Sequence, residues 1–258
     1  MPGGEILLRT EGLSKRFGGL TALKGVAVAV RRGEIVGLIG PNGSGKSTLF
    51  NCICGFHRPD AGRVWLAGEE CTGLAPHRIA RRGLSRTFQL AKLFANLPVI
   101  ENVMLARHLT RSAGFLGALC GSRRYRAEEK AAAAEALDIL ELVGLAGERA
   151  KAARDLPYGS QRLLTLAIAL SSRPEILLLD EPTAGMNQQE ARTLADILRR
   201  INAAGTTVFL VEHNMRFIMG LSERIVVLNH GEVICEGAPD AVRREECVID
   251  AYLGRGFA

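Results

Sequence analysis

Eight residues, Gly40-Pro-Asn-Gly-Ser-Gly-Lys46-Ser47, constrain this chain more than any other stretch. They fill the pattern Gly-x-x-x-x-Gly-Lys-Ser/Thr completely. The apolar run over residues 34–39 predicts a buried strand before them, and residues 46–55 predict a helix after them. Strand, glycine-rich turn and helix together make a cradle for phosphate. The glycines let backbone N–H groups curl around oxygen atoms without side-chain clashes, and the helix N-terminus adds partial positive charge. Gly40, Pro41, Asn42, Gly43, Ser44, Gly45, Lys46, Ser47 and Thr48 are thus candidate contacts to a nucleotide's phosphates. Lys46 is expected to reach the β- and γ-phosphates, and the Ser47 hydroxyl to ligate Mg²⁺.

A second run, Ile176-Leu-Leu-Leu-Asp180-Glu181, completes that chemistry. A buried strand delivers Asp180 to the C-terminal edge of a sheet, the edge at which open α/β sheets bind ligands. Asp180 is expected to hold Mg²⁺ through water, and Glu181 to polarise the attacking water. A buried acidic pair with no cation nearby is costly, which argues against a purely structural role.

The rest of the chain falls into three parts. The first third predicts short strands near residues 6–10, 26–30 and 63–67. Residues 99–153 are rich in alanine, leucine and charge, with Ala132, Ala136, Ile139, Leu140 and Val143 at helical spacing. The last third alternates: helix 161–171, strand 176–180, helix 188–203, strand 206–211, strand 224–228 and a turn at 229–231. Such alternation predicts a mostly parallel sheet covered on both faces. One 258-residue domain is expected, with a core lobe over 1–90 and 161–258 and an inserted helical lobe over about 91–160.

Composition narrows the setting. No run approaches the roughly 18 apolar residues of a membrane span, and the N-terminus lacks the regions of a signal peptide. A protein soluble when isolated is expected, with any membrane work done through a partner. Six cysteines show no C-x-x-C pair, so neither a disulfide framework nor a metal cluster is indicated, and Cys52 and Cys54 read as small apolar residues on different faces of one helix. The net charge of +6 suits phosphates without selecting a partner. Arg78, Arg81, Arg82 and Arg86, like Arg123, Arg124 and Arg126, read as solvated faces. Aromatics at 5% leave little for base stacking, so no nucleic-acid partner is expected.

Several further residues, in order around the phosphate cradle, resemble the ATPases of ABC transporters. Gln89 in Arg-Thr-Phe-Gln resembles their Q-loop, which contacts Mg²⁺ and moves with the permease. Leu156-Pro-Tyr158-Gly159-Ser160-Gln161-Arg resembles their signature motif, and His213 in Val-Glu-His-Asn their switch histidine, which touches the γ-phosphate. Phe17 sits where the family sets an aromatic ring against adenine. The resemblance spans nearly the whole chain and implies an α/β fold of the P-loop NTPase, RecA-like type: a mostly parallel sheet core, an N-terminal antiparallel β subdomain and an inserted α-helical lobe. Two departures stand out. Against the usual Leu-Ser-Gly-Gly-Gln, Tyr158 is read as replacing the serine and Ser160 the second glycine, so the signature's contact to the opposite subunit rests on Ser160 and on backbone N–H groups from Gly159 onward. In the loop Ala184-Gly-Met-Asn187, Asn187 stands where the family usually has aspartate.

Tyr-Gly-x-Gln-Arg, Glu-Pro-Thr-Ala-Gly-Met-Asn, Val-Glu-His-Asn-Met and the ending Ile249-Asp-Ala-Tyr-Leu-Gly254 resemble, within that family, the longer ATPase subunit of branched-chain amino acid importers. Urea and short-chain amide importers look similar. The resemblance implies ATP hydrolysis with Mg²⁺, integral membrane permease subunits, and a second ABC ATPase (a heterodimer favoured, a homodimer open). It also implies an indirect link to a periplasmic or extracellular solute-binding protein, and a peripheral place on the cytoplasmic face of the inner membrane. The alternative is a single-domain ABC ATPase with a soluble, non-transport role.

Overall fold

The computed structural model describes residues 4–87, 93–110 and 123–253. The chain opens with a hairpin of β1 (Ile6–Phe17) and β2 (Leu20–Arg31). With β4 (Ala61–Leu66) and β5 (Glu69–Glu70) it makes an antiparallel sheet ordered β2-β1-β4-β5. β1 runs on past Thr10, where a break was expected. Gly12 takes φ 59° and the β1–β2 register shifts between Thr10 and Leu13. A glycine that absorbs an extra residue there bends the strand without ending it.

The second sheet holds β3 (Ile35–Ile39), β6 (Leu84–Arg86), β7 (Ile176–Asp180), β8 (Thr207–Val211), β9 (Arg224–Asn229) and β10 (Glu232–Gly237). Its order is β10-β9-β3-β8-β7-β6, with β10 antiparallel at one edge and the other pairings parallel. Its central strands are buried on both faces, and side chains alternate between two apolar clusters. Leu177, Leu179, Val208 and Leu210 enter one cluster; Ile176, Leu178, Phe209 and Val211 enter the other. The second cluster joins this sheet to the antiparallel one through α1 (Lys46–Ile53) and α2 (Pro76–Ala80). Cys52 in α1 and Cys54 at its C-cap both pack there, and burial pushes both thiols up to about 11. Both are small buried packing groups, as expected, but Cys54 caps α1 instead of lying within it, and both enter the same cluster, not two faces.

The first cluster carries the helices. α3 (Val99–Thr110), α4 (Arg123–Leu142), α5 (Tyr158–Leu170), α6 (Gln188–Ala203) and α7 (Met215–Leu221) all contribute to it. The helical spacing read in the middle of the chain is realised: Ala132, Ala136, Leu140 and Val143 are buried and Ile139 packs beside them. The chain closes with α8 (Pro239–Val242) and α9 (Glu246–Leu253). Among the described residues no helix is long and apolar enough to cross a membrane.

Arg224 fastens the two sheets together. Its Nε and Nη2 each donate at 2.7 Å to the two oxygens of Glu34, and Nη2 also donates to the Ala29 carbonyl in β2 at 2.6 Å. Burial alone would push the Glu34 carboxyl up, but hydrogen bonds from Arg224 and the Arg31 backbone bring it below its ordinary value. Its contribution to stability is therefore present above the unfolded carboxyl pKa and is lost as pH falls through the lowered folded value.

Candidate functional site

Because β3, β8, β7 and β6 are parallel, their C-terminal ends share one edge of the sheet. That edge gathers the glycine-rich loop after β3, Glu212 and His213 after β8, Asp180 and Glu181 at the end of β7, and Arg86 at the end of β6. Chain segments more than a hundred residues apart meet there, which is why topology, and not local sequence, assembles the site.

The loop 40–45 leads straight into α1, whose N-cap is Gly45. The Lys46 ammonium folds over the loop, donating to the carbonyls of Gly40 at 2.7 Å and Pro41 at 2.9 Å. Burial lowers its pKa, and the nearby Glu181 and Asp180 carboxylates pull it back up. Ser44 is buried beneath the loop, while Ser47 is exposed at the start of α1. Gly45 has φ 108°, and a Cβ there would stand 2.5 Å from the Ala22 carbonyl oxygen of β2. Gly45→Ala combines a backbone conformation costing about 1–3 kcal/mol with that clash. We expect it to lower the unfolding midpoint by several degrees and to weaken nucleotide binding at least tenfold; a thermal melt and a titration with a fluorescent ATP analogue check both.

Asp180 does not face the loop alone. Its Oδ2 accepts from Arg86 Nη2 at 2.8 Å, and Arg86 Nη1 donates to Asn51 Oδ1 in α1 at 2.7 Å. Arg86, read from sequence as part of a solvated basic face, is almost buried, its side chain only 7% exposed. Its guanidinium also lies 5.6 Å from the centre of the Phe50 ring. The reading is corrected for Arg86; Arg78 and Arg81 are exposed as expected, and Arg82 is half-buried, donating to the Glu70 carbonyl and to Cys71 Sγ. The side chains of Arg123, Arg124 and Arg126 lie outside the described ones. The Ser47 hydroxyl and the Asp180 carboxylate form a set of hard oxygen donors, the type that suits Mg²⁺.

His213 Nε2 and Glu181 Oε1 lie 2.5 Å apart. Glu181 adopts φ 47°, in the left-handed region that non-glycine residues rarely enter. Beneath this pair is Glu212, buried and hydrogen-bonded to the loops on both sides. No local signal in the sequence marks Glu212, Asn51 or Arg86, since their partners are distant in the chain.

Phe17 stands at the tip of the β1–β2 hairpin, 42% exposed, with its ring edge-on to His57 at 5.2 Å. The same hairpin comes close to the glycine-rich loop at Ala22. Gln89 lies outside the described residues.

The signature segment differs from expectation. α5 begins at Tyr158, not near residue 161, and its N-cap is Pro157. Proline at a helix start loses no hydrogen bond, which makes it a good first-turn residue. Counted from Leu156, Pro157 stands where the family motif has serine, Tyr158 where it has the first glycine, and Ser160 where it has glutamine. Gly159 keeps the second glycine. This corrects the reading of Tyr158 as the serine replacement and of Ser160 as the second-glycine replacement. The Tyr158 hydroxyl accepts from Arg162 Nε at 3.0 Å and Nη2 at 2.5 Å. Its ring lies so close to Gly185 that a Cβ there would come within 2.7 Å. Asn187, the residue departing from the family's aspartate, caps α6. Its side chain accepts from the Gln189 and Glu190 N–H groups while Glu190 answers with a bond to the Asn187 N–H. A neutral acceptor is enough for that task.

Beside Arg86 a groove of about 400 Å³ opens between the core and α3, lined among others by Phe56, Pro76, His77, Thr87 and Ile168. Phe56 is 48% exposed at its rim.

Comparison with known proteins decides the family. Residues 23–184 match the family described as ABC transporter. The chain belongs to the ABC transporter ATPases. It is an ATP-hydrolysing cassette of the P-loop NTPase class. Residues 232–258 further match the family described as branched-chain amino acid ATP-binding cassette transporter. Among curated relatives, this ABC ATPase is 41% identical over 249 residues to the high-affinity branched-chain amino acid transport ATP-binding protein BraF of Pseudomonas aeruginosa, covering 96% of this chain and 98% of that one. It is 42% identical, with the same coverage, to LivG of Salmonella typhimurium, which bears the same description. Among solved structures it resembles the ADP conformation of MJ1267, an ATP-binding cassette of an ABC transporter. That match has TM-score 0.84 and 29% identity, covering 97% of this chain and 99% of that one. A dimeric post-hydrolysis state of the cassette MJ0796 bound to ADP and Pi matches with TM-score 0.75 and 26% identity over 90% of this chain and 99% of that one.

Proposed function

We propose that this chain is the ATP-hydrolysing subunit of an importer that takes up branched-chain amino acids or a related small solute through a membrane permease. The observation that carries the reading is end-to-end similarity to BraF and LivG at 41% and 42% identity, together with the match of residues 232–258 to the branched-chain cassette family.

The shared edge of the sheet supports a division of labour. Backbone N–H groups of residues 40–48 and the Lys46 ammonium hold the β- and γ-phosphates, with Phe17 against the adenine. Ser47, Asp180 and Gln89 would hold Mg²⁺, which would supply positive charge against the phosphates. Glu181 accepts a proton from water as its oxygen bonds to the γ-phosphorus. The bond from that phosphorus to the β–γ bridging oxygen breaks, and ADP leaves with that oxygen. His213 holds a γ-phosphate oxygen while negative charge spreads over it. The start of α5, from Tyr158 and Gly159 through Ser160 to Gln161, presents backbone N–H groups to the nucleotide of a second cassette. Neither half-site is then complete in one chain, and ATP binding closes two cassettes head to tail.

The resemblance favours a shorter sister ATPase as the second cassette, with a homodimer as the other arrangement. The groove beside Arg86 suits a permease segment, since exposed Phe56 and the neighbouring Pro76 and Ile168 offer apolar surface next to the β6 end. The protein then works at the cytoplasmic face of the membrane, held by its permease, with a solute-binding protein acting on the far side.

Affinity copurification from native membranes tests this reading. We expect two multi-span permease chains and a second, shorter ATPase to be retained with this chain. Recovery of soluble proteins alone would overturn transport in favour of a non-transport ABC ATPase.

A further inference from the structure

Glu212 is 3% exposed, yet it carries a carboxylate whose four hydrogen-bond donors are all neutral. Its Oε1 accepts from the Thr183 N–H at 2.7 Å and the Thr183 hydroxyl at 2.6 Å. Its Oε2 accepts from the His213 N–H at 2.9 Å and the Asn214 N–H at 3.2 Å. One oxygen therefore serves the loop after β7, and the other serves the loop after β8. Burying a carboxylate costs free energy unless its lone pairs are met, so a glutamate is kept here only with this full set of donors.

We infer that Glu212 is a positioning residue for hydrolysis: it clasps the two loops so that Glu181 and His213 hold their reactive geometry. The proposal rests on the reading of those two residues given above. Glu181 has φ 47° and is tethered on one side by its own N–H to the Val211 carbonyl at 2.9 Å. On the other side the Ala184 N–H returns to the Glu181 carbonyl at 3.1 Å, a turn that encloses Thr183. A residue in this sparsely populated conformation relaxes unless its surroundings fix it from several directions. Glu212 supplies the missing direction through Thr183, and its other oxygen holds the His213 backbone. The 2.5 Å contact between Glu181 Oε1 and His213 Nε2 is the outcome.

The chemistry of the clasp is specific to glutamate. Glutamine has one acceptor oxygen and an NH₂ that cannot accept, so one of the two loops would face a donor with a donor. Aspartate is one methylene short.

The test uses the purified transporter complex containing this chain, with Glu212→Ala, Glu212→Gln, Thr183→Val and Thr183→Ser. Nucleotide affinity, unfolding midpoint and saturated turnover are measured for each. We expect Glu212→Ala to lower kcat by about tenfold to a hundredfold, the scale on which misplaced catalytic groups lose rate, with nucleotide affinity within about threefold of wild type. Thr183→Ser should restore turnover relative to Thr183→Val. Glu212→Gln and Thr183→Val together should cost less than the sum of the two alone, since both weaken one clasp, of which Thr183→Val leaves the backbone N–H bond in place. If Glu212→Ala does not fold, Thr183→Val carries the same comparison. Turnover within about twofold of wild type in both, in preparations where Glu181→Gln is inactive, would overturn the clasp and leave the role of Glu181 standing. Equal loss of affinity and midpoint with unchanged turnover per bound nucleotide would reduce Glu212 to a structural staple. Turnover retained by Glu181→Gln would remove the reading beneath the proposal, and the proposal with it.

Discussion

Glu181→Gln is expected to bind ATP with near-normal affinity and to lose turnover by about a hundredfold to ten-thousandfold, the range that a general base contributes. The substitution is close to isosteric. The amide oxygen can still accept from His213 Nε2, which now lies 2.5 Å from the carboxylate. The loop beneath keeps its bonds to Glu212, because those involve Thr183 and not the Glu181 side chain. What disappears is the ability to take a proton from water. Binding, loop geometry and dimer closure then stay intact while the step that reopens the dimer stops, so ATP-bound closed dimer should accumulate. Phosphate release and size-resolved light scattering, measured with and without ATP, read both effects. Near-normal phosphate release from this variant would remove Glu181 from the chemistry.

Lys46→Met is expected to act on the opposite quantity. The ammonium is the one side-chain cation held over the glycine-rich loop in the described contacts, donating to the carbonyls of Gly40 and Pro41. A charged hydrogen bond of this kind contributes about 1.5–3 kcal/mol net, so its loss should weaken nucleotide binding by roughly 10- to 100-fold. Methionine keeps the apolar stem, and the glycines keep the loop path, so folding should change little. A titration with a fluorescent ATP analogue, beside a thermal melt, separates the two. Unchanged affinity would mean that Lys46 serves the loop and not the phosphates.

The two catalytic variants differ because the site is divided between local and non-local parts, and the sequence reveals these unequally. The glycine-rich loop is legible because its geometry is encoded residue by residue: Gly43 and Gly45 take positive φ, and the apolar strand before them is continuous. Asp180 is legible for the same reason, standing at the end of an uninterrupted apolar strand. Arg86 is not legible. Its neighbours Arg78, Arg81 and Arg82 make it look like one more surface charge, and only the pairing of β6 with β7 brings it to Asp180. Glu212 is hidden likewise, since Thr183 lies 29 residues away in the chain. The start of α5 was misjudged for a different reason. The sequence pattern sets the helix start near residue 161, after most of the signature motif, while Pro157 and the helix-compatible run after it carry their own start signal. β1 differs in the opposite sense: a strand is predicted only near residues 6–10, while the register shift at Gly12 lets it run on to Phe17.

Solute uptake driven by hydrolysis at this site is the most direct measurement left to make. The complex retained with this chain would be purified from native membranes and reconstituted in vesicles loaded with ATP and Mg²⁺. The solute-binding protein of the same cells would then be added outside, with radiolabelled leucine. We expect leucine to accumulate only with ATP inside, and accumulation to vanish in vesicles carrying Glu181→Gln. Accumulation that ignores both the nucleotide and the substitution would contradict the assignment of this chain as the motor. ATP hydrolysis with no uptake of leucine, isoleucine, valine, urea or short amides would contradict the transport role itself.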